Sequence, residues 1–230
     1  MRSKIYFYVL VISLIGMTEI VNAQDWPDLK HFKAANEKLQ PSTQDESRVV
    51  FLGNSITIGW LNSVPEFFEG KPYVNRGISG QTTPQMLLRF RQDVIDLTPK
   101  VVVILAGTND IAGNTGPMTL QQIVDNLRSM TELAKANGIK VVLSSVLPAY
   151  DYPWRPGLNP NEKIPKLNAM IKDYADEAKV VYLDYFSVMT NDKNGLDEDL
   201  AGDGVHPTKK GYEIMAPLAE AAIKKALNTH

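Results

Sequence analysis

Of the three histidines in the 230-residue chain, His31, His206 and His230, His206 lies among the polar turns late in the chain, with Asp203 three positions earlier and Gly204 between them. A carboxylate folded back onto Nδ1 leaves Nε2 free to take a proton, which is the pairing a serine nucleophile needs. His31 falls in the leading segment and His230 is the terminal residue, so a histidine base in this chain is His206. Ser55, in Gly53-Asn54-Ser55-Ile56-Thr57, follows an apolar run. A hydroxyl at such a turn, with its own N–H at a helix start, suits a nucleophile whose developing oxyanion needs donors. The same position equally suits an N-cap serine. Thr57 stands where a Gly-x-Ser-x-Gly elbow would carry its second glycine, which disfavours the standard α/β-hydrolase arrangement. Asn109, in Gly107-Thr108-Asn109-Asp110, offers an amide donor that cannot lose its proton, or else an Asx turn. Asn75-Arg76-Gly77-Ile78-Ser79-Gly80-Gln81-Thr82-Thr83 lacks the Lys-Ser/Thr ending of a phosphate loop; by itself it is a glycine turn that lets backbone approach a ligand closely.

Positioning these residues falls to a repeated theme of β-branched run, polar turn and helical stretch. The runs are Arg48–Leu52, Tyr73–Asn75, Lys100–Ala106, Lys140–Val146 and Val180–Asp184. Those containing Val49–Leu52, Val101–Leu105 and Val141–Leu143 are nearly continuous Val, Ile, Leu and Phe, as strands covered on both faces read, and belong in the middle of a parallel sheet. Helical patterns run from Pro84 to about Asp96, from Thr119 to Asn137, from about Asn161 to Glu177 and from Thr208 to Leu227, and an amphipathic helix is expected over Leu29–Leu39. Thr208 is a plausible N-cap and Asn137-Gly138 a C-terminal stop. Strand alternating with helix predicts a single three-layer α/β/α domain over 48–230 with a five-stranded parallel sheet, preceded by a leader, 24–47. Ligands in such sheets bind beyond the carboxyl ends of the strands, where the polar turns lie.

Composition removes several classes. With 24 Lys+Arg against 26 Asp+Glu there is no basic field to hold nucleic acid through its phosphates, so no nucleic-acid partner is expected. Arg2 and Lys4 precede an apolar run from Ile5 to Met17, and Val21-Asn22-Ala23 ends in a small residue, which predicts a signal peptide cleaved after Ala23 and an exported, periplasmic or extracellular, mature chain. The run is shorter than the ~20 residues of a membrane span and Glu19 closes it, so no stable membrane anchor is expected; with no cysteine there is no lipid attachment point.

The order and local words of these turns, Gly53-Asn54-Ser55-Ile56-Thr57, Gly77-Ile78-Ser79-Gly80, Gly107-Thr108-Asn109-Asp110 and Asp203-Gly204-Val205-His206-Pro207, resemble the SGNH/GDSL hydrolase superfamily. The stretches Asn75–Thr83 and Asp203–Tyr212 look most like bacterial relatives of the platelet-activating factor acetylhydrolase catalytic subunit, a group that includes carbohydrate acetyl esterases. The resemblance spans about Arg48 to Leu227 and implies a flavodoxin-like sheet. It also implies Ser55 as nucleophile, His206 as base, Asp203 as its orienter, and Ser55 N–H, Gly80 N–H and the Asn109 amide as oxyanion donors. The expected reaction is hydrolysis of a small acyl ester, acetyl first, on a carbohydrate or similar polar alcohol, with no metal or organic cofactor. Asn54 departs from the family's usual Asp. Asp184, after the fifth run, is a competing orienter. Tyr152, Trp154 and Arg155 are candidates for substrate contact, through aromatic faces and polar groups, against a purely structural role for the Pro148–Pro160 loop, and Arg76 suits a substrate contact or a structural ion pair equally. Rivals are a lysophospholipase or acyl-thioesterase of the same fold and, from another class, a carbohydrate-binding protein without chemistry.

Overall fold

The computed structural model describes residues 24–43 and 46–229, so the expected signal segment, 1–23, lies outside the described residues. The five strands are β1 (Val49–Gly53), β2 (Tyr73–Gly77), β3 (Val101–Leu105), β4 (Lys140–Ser144) and β5 (Val181–Leu183). They form one parallel sheet in the order β2-β1-β3-β4-β5, so the three most apolar runs do occupy its centre. Their continuous apolar character has a direct cause: successive side chains point to opposite faces, and both faces are covered. Val50, Leu52, Val102 and Ile104 join one core cluster, while Val49, Phe51, Val101 and Val103 join the other.

The helices are α1 (Lys33–Lys38), α2 (Ser55–Ser63), α3 (Thr83–Asp93), α4 (Thr108–Ile111), α5 (Leu120–Ala136), α6 (Pro160–Ala178), α7 (Phe186–Met189) and α8 (Lys209–Leu227). α3, α5 and α6 cover the first face and α2 and α8 the second. On α5 the buried residues Ile123, Leu127, Met130 and Ala134 recur every three or four positions, the stripe that one covered helix face requires. Thr119 and Thr208 cap α5 and α8, accepting from the N–H groups of Gln122 and Gly211. Asn137 ends α5, and Gly138 follows with a left-handed φ of 71°.

The leader corrects one expectation. Residues 29–32 form turns, only Lys33–Lys38 is helical, and α1 has no buried residue. Ahead of α1, the carbonyls of Pro27, Trp26 and Leu29 accept from the side-chain amides of Gln81, Gln85 and Gln92. These oxygens serve as anchors onto α3 and its approach rather than as links in a helical ladder. Among the described residues no helix is long and apolar enough to cross a membrane.

Candidate active site

Ser55 opens α2 directly after β1. Asn54 caps that helix, its Oδ1 accepting from Ile56 N–H at 3.0 Å, so the amide at this position does the capping an aspartate would do. Gly77, at the end of β2, is pressed against the same turn: a Cβ there would come within 2.3 Å of Ile58 N, which only glycine permits. Ser55 N–H, at the first helical position, has no hydrogen-bond partner among the described residues.

Ser55 Oγ lies 2.9 Å from His206 Nε2, across a sequence separation of 151, and His206 Nδ1 lies 2.7 Å from Asp203 Oδ2. The other carboxylate oxygen, Oδ1, accepts the N–H groups of Val205 and His206 at 2.9 and 2.7 Å. Gly204, at a φ of 77°, gives the hairpin its bend. Partial burial pushes the Asp203 carboxyl up, but the hydrogen bonds from His206 and Val205 outweigh it and hold the group below its ordinary value. α8 brings this loop to Ser55: Tyr212 Oη donates to Ile56 O at 2.8 Å, and the Tyr212 ring stacks on Trp60 of α2.

The turns after β2 and β3 are tied to each other and to β1. Ile78 N–H donates to Gly53 O, Asn109 Nδ2 to Gln81 O at 2.9 Å, and Asn114 Nδ2 to Gly80 O at 3.0 Å. The Asn109 amide has a second N–H beyond that bond. Gly80 takes a left-handed φ of 76°, and its N–H has no partner among the described residues. Asp110 Oδ1 accepts both the N–H and the hydroxyl of Thr83, fixing the start of α3. Burial raises the Asp110 carboxyl above its ordinary value against those two bonds.

Arg89 was not anticipated from the sequence. Wholly buried beneath these turns, it donates to Gln81 Oε1, Asp93 Oδ2, Gly53 O and Arg76 O at 2.6 to 3.1 Å. Its signal was present: Met86, Arg89, Phe90 and Asp93 make one helical stripe, with Leu88 exposed beside it, so a charged pair occupies core positions.

Of the four residues expected at the substrate, Arg76 and Tyr152 are buried, whereas Trp154 and Arg155 are exposed. Arg76 is buried, bonded to Asn36 and Asn75 O and lying over the Phe32 ring, so it holds the leader. Tyr152 has no exposed surface and bonds Thr108 Oγ1 at 2.9 Å. Arg155 Nη1 donates to the carbonyls of Ala112 and Gly113, bracing its loop. Trp154 remains open, its ring 6.0 Å from that of His206. Asp184 is occupied elsewhere, accepting from Ser187 N–H and Oγ at the start of α7. His31 pairs with Asp28 in the leader.

The sheet order is that of flavodoxin-like folds, and Ser55 and Asn109 follow its two switch-point strands, β1 and β3. The model of the GDSL-like lipase/acylhydrolase family matches residues 51–214, and the chain belongs to that family of ester hydrolases. It is similar to a GDSL-like lipase structure from Bacteroides thetaiotaomicron, at 48% identity and a TM-score of 0.85 over 87% of this chain and 98% of that one. Among curated relatives, an acetylxylan esterase of Xylanibacter ruminicola is 27% identical over 79% of this chain but only 44% of its own length, so this chain spans under half of that relative. The esterase TesA of Pseudomonas aeruginosa is 30% identical over 68% of this chain and 73% of its own length.

Proposed function

We propose that the protein is an exported serine esterase that removes small acyl groups, acetyl first, from a carbohydrate or similar polar alcohol. The observation that carries this reading is the unbroken chain from Ser55 Oγ through His206 to Asp203, at 2.9 and 2.7 Å. Ser55 Oγ attacks the ester carbonyl carbon as its proton passes to His206 Nε2, and the imidazolium is stabilised by Asp203. The oxyanion is held by Ser55 N–H, Gly80 N–H and the Asn109 amide, donors fixed before the charge develops. Collapse of the tetrahedral adduct expels the alkoxide, which takes the proton from His206. Water then attacks the acyl-enzyme by the same route, releasing the carboxylic acid and restoring Ser55. The likeness to an acetylxylan esterase supports acetyl and sugar as the two halves of the substrate.

The test is a panel of p-nitrophenyl esters and acetylated sugars on the purified protein. Acetyl and other short esters are expected to turn over well ahead of long-chain esters and thioesters, with Ser55→Ala inactive and deaf to a fluorophosphonate probe. Asn109→Ala is expected to lose on the order of 10²–10³ in kcat. Preference for long acyl chains, or full activity in Ser55→Ala, would overturn the reading.

A further inference from the structure

The loop between β4 and α6 exposes two large aromatic side chains, Tyr150 at 58% and Trp154 at 45%. Trp154 is held in place while staying open to solvent. Its ring stacks on Tyr152 at 5.1 Å and 23°, and Tyr152 is itself buried and bonded to Thr108, the residue next to Asn109. Asp151 closes the loop, accepting from the N–H groups of Tyr152 and Gly157. The half-exposed indole therefore stands beside His206, the group that would protonate a leaving alcohol, packed on Tyr152 and otherwise presenting an apolar face to solvent.

Beyond it, on the Asp203 side of the triad, lies an open cleft of about 270 Å³ between Tyr150, Asp151, Pro153, Pro156, Leu196 and Asp203. Its volume lies just below the ~300 Å³ at which small-ligand sites begin, the size of a subsite for one ring. Its chemistry is equally selective. The walls are aromatic and proline faces, the polar groups include two carboxylates, and no lysine or arginine lines it. Carboxylates beside the ligand repel anions and accept hydroxyl protons, while flat apolar walls pack on the C–H faces of sugar rings.

We infer that this cleft is a subsite for a neutral pyranose unit adjoining the one that bears the scissile ester, with Trp154 packing on the acylated ring and Tyr150 on its neighbour. The inference rests on the esterase reading of Ser55, His206 and Asp203, and makes the preferred substrate an acetylated neutral oligosaccharide rather than a monosaccharide ester.

The experiment compares kcat/KM for acetylated xylotetraose, acetylated xylose and p-nitrophenyl acetate in the wild type, Tyr150→Ala, Trp154→Ala and Trp154→Phe proteins. Tyr150→Ala is expected to lower the tetraose-to-xylose ratio roughly three- to tenfold, chiefly through KM, as loss of one aromatic contact would. Trp154→Ala lowers both sugars relative to p-nitrophenyl acetate by a similar factor, and Trp154→Phe recovers most of it. In the Ser55→Ala protein, unacetylated xylotetraose quenches tryptophan fluorescence, and the quench is lost in Ser55→Ala/Trp154→Ala. Ratios that none of the variants moves, or no binding of xylotetraose, overturn the subsite even if p-nitrophenyl acetate is hydrolysed. A wild type that binds xylotetraose through Trp154 yet hydrolyses no ester overturns the esterase reading instead.

Discussion

Arg89 has no exposed surface and makes four hydrogen bonds beneath the turns that follow β1 and β2, whereas the side chains of Asp203 and His206 are 44% and 39% exposed and held to each other by contacts within three residues of chain. One half of the site is cross-braced from several elements: Gln81, Asn109, Asp110 and Thr83 tie the β2 and β3 turns together. The other half is a short hairpin carried on the end of α8. Under the proposed mechanism, the difference follows from what each half must do. Oxyanion donors lower a barrier by being fixed before charge appears, so their framework gains from burial and redundancy. A base must exchange protons with an incoming water, so it gains from access to solvent.

This contrast can be broken by substitution. Asp203→Asn keeps the backbone acceptor but disfavours the histidine tautomer that Ser55 needs, and is expected to lower kcat on the order of 10⁴ while shifting the urea midpoint little. Asp184→Asn, which loses only its bonds to Ser187, is expected to keep full turnover; the opposite ranking would move the orienting role to Asp184. Arg89→Met is expected to act on stability first. It leaves Asp93 buried without its guanidinium, costing about 3–5 kcal/mol by chemical denaturation, and kcat falls alongside stability. An Arg89→Met protein of native stability would remove the bracing from the argument.

The smallest expected effect sharpens the buried half. The Asp110 carboxyl is raised by burial, so the folded state binds its proton more tightly than the unfolded chain does. Its contribution is therefore fully present below the unfolded carboxylate pKa, near 4, and is lost as pH rises through the higher folded value. Asp110→Asn does not titrate, so the stability difference, wild type minus variant, is expected to be largest near pH 4 and to shrink towards pH 7. A difference that grows with pH would mean that the Thr83 bonds outweigh burial.

The central strands were legible because burial on both faces demands apolar residues at every position, a pattern visible at Val101–Leu105 without knowledge of any partner. The leader's helix is shorter than its periodicity suggests, and that periodicity says nothing of Gln81, Gln85 and Gln92, which bind leader carbonyls from more than fifty residues away. Arg76 and Tyr152 were left open between ligand and packing roles for a related reason. An arginine or tyrosine beside a strand end has the chemistry for a ligand, and only its packing neighbours decide whether it faces one.

Sequence by itself settled the order of the five strands and of the long helices α3, α5, α6 and α8, the polar turns at the strand ends, and the closeness of Asp203 to His206, since period and short spacing act through covalent geometry alone. The approach of Ser55 to His206 belongs to the tertiary structure. It depends on α8 packing against α2 through Tyr212, Trp60 and the carbonyl of Ile56, side chains that no local rule brings together. The same holds for the choice of Trp154 over Arg76 and Tyr152 as the open face, because exposure is what remains after every long-range contact has been made.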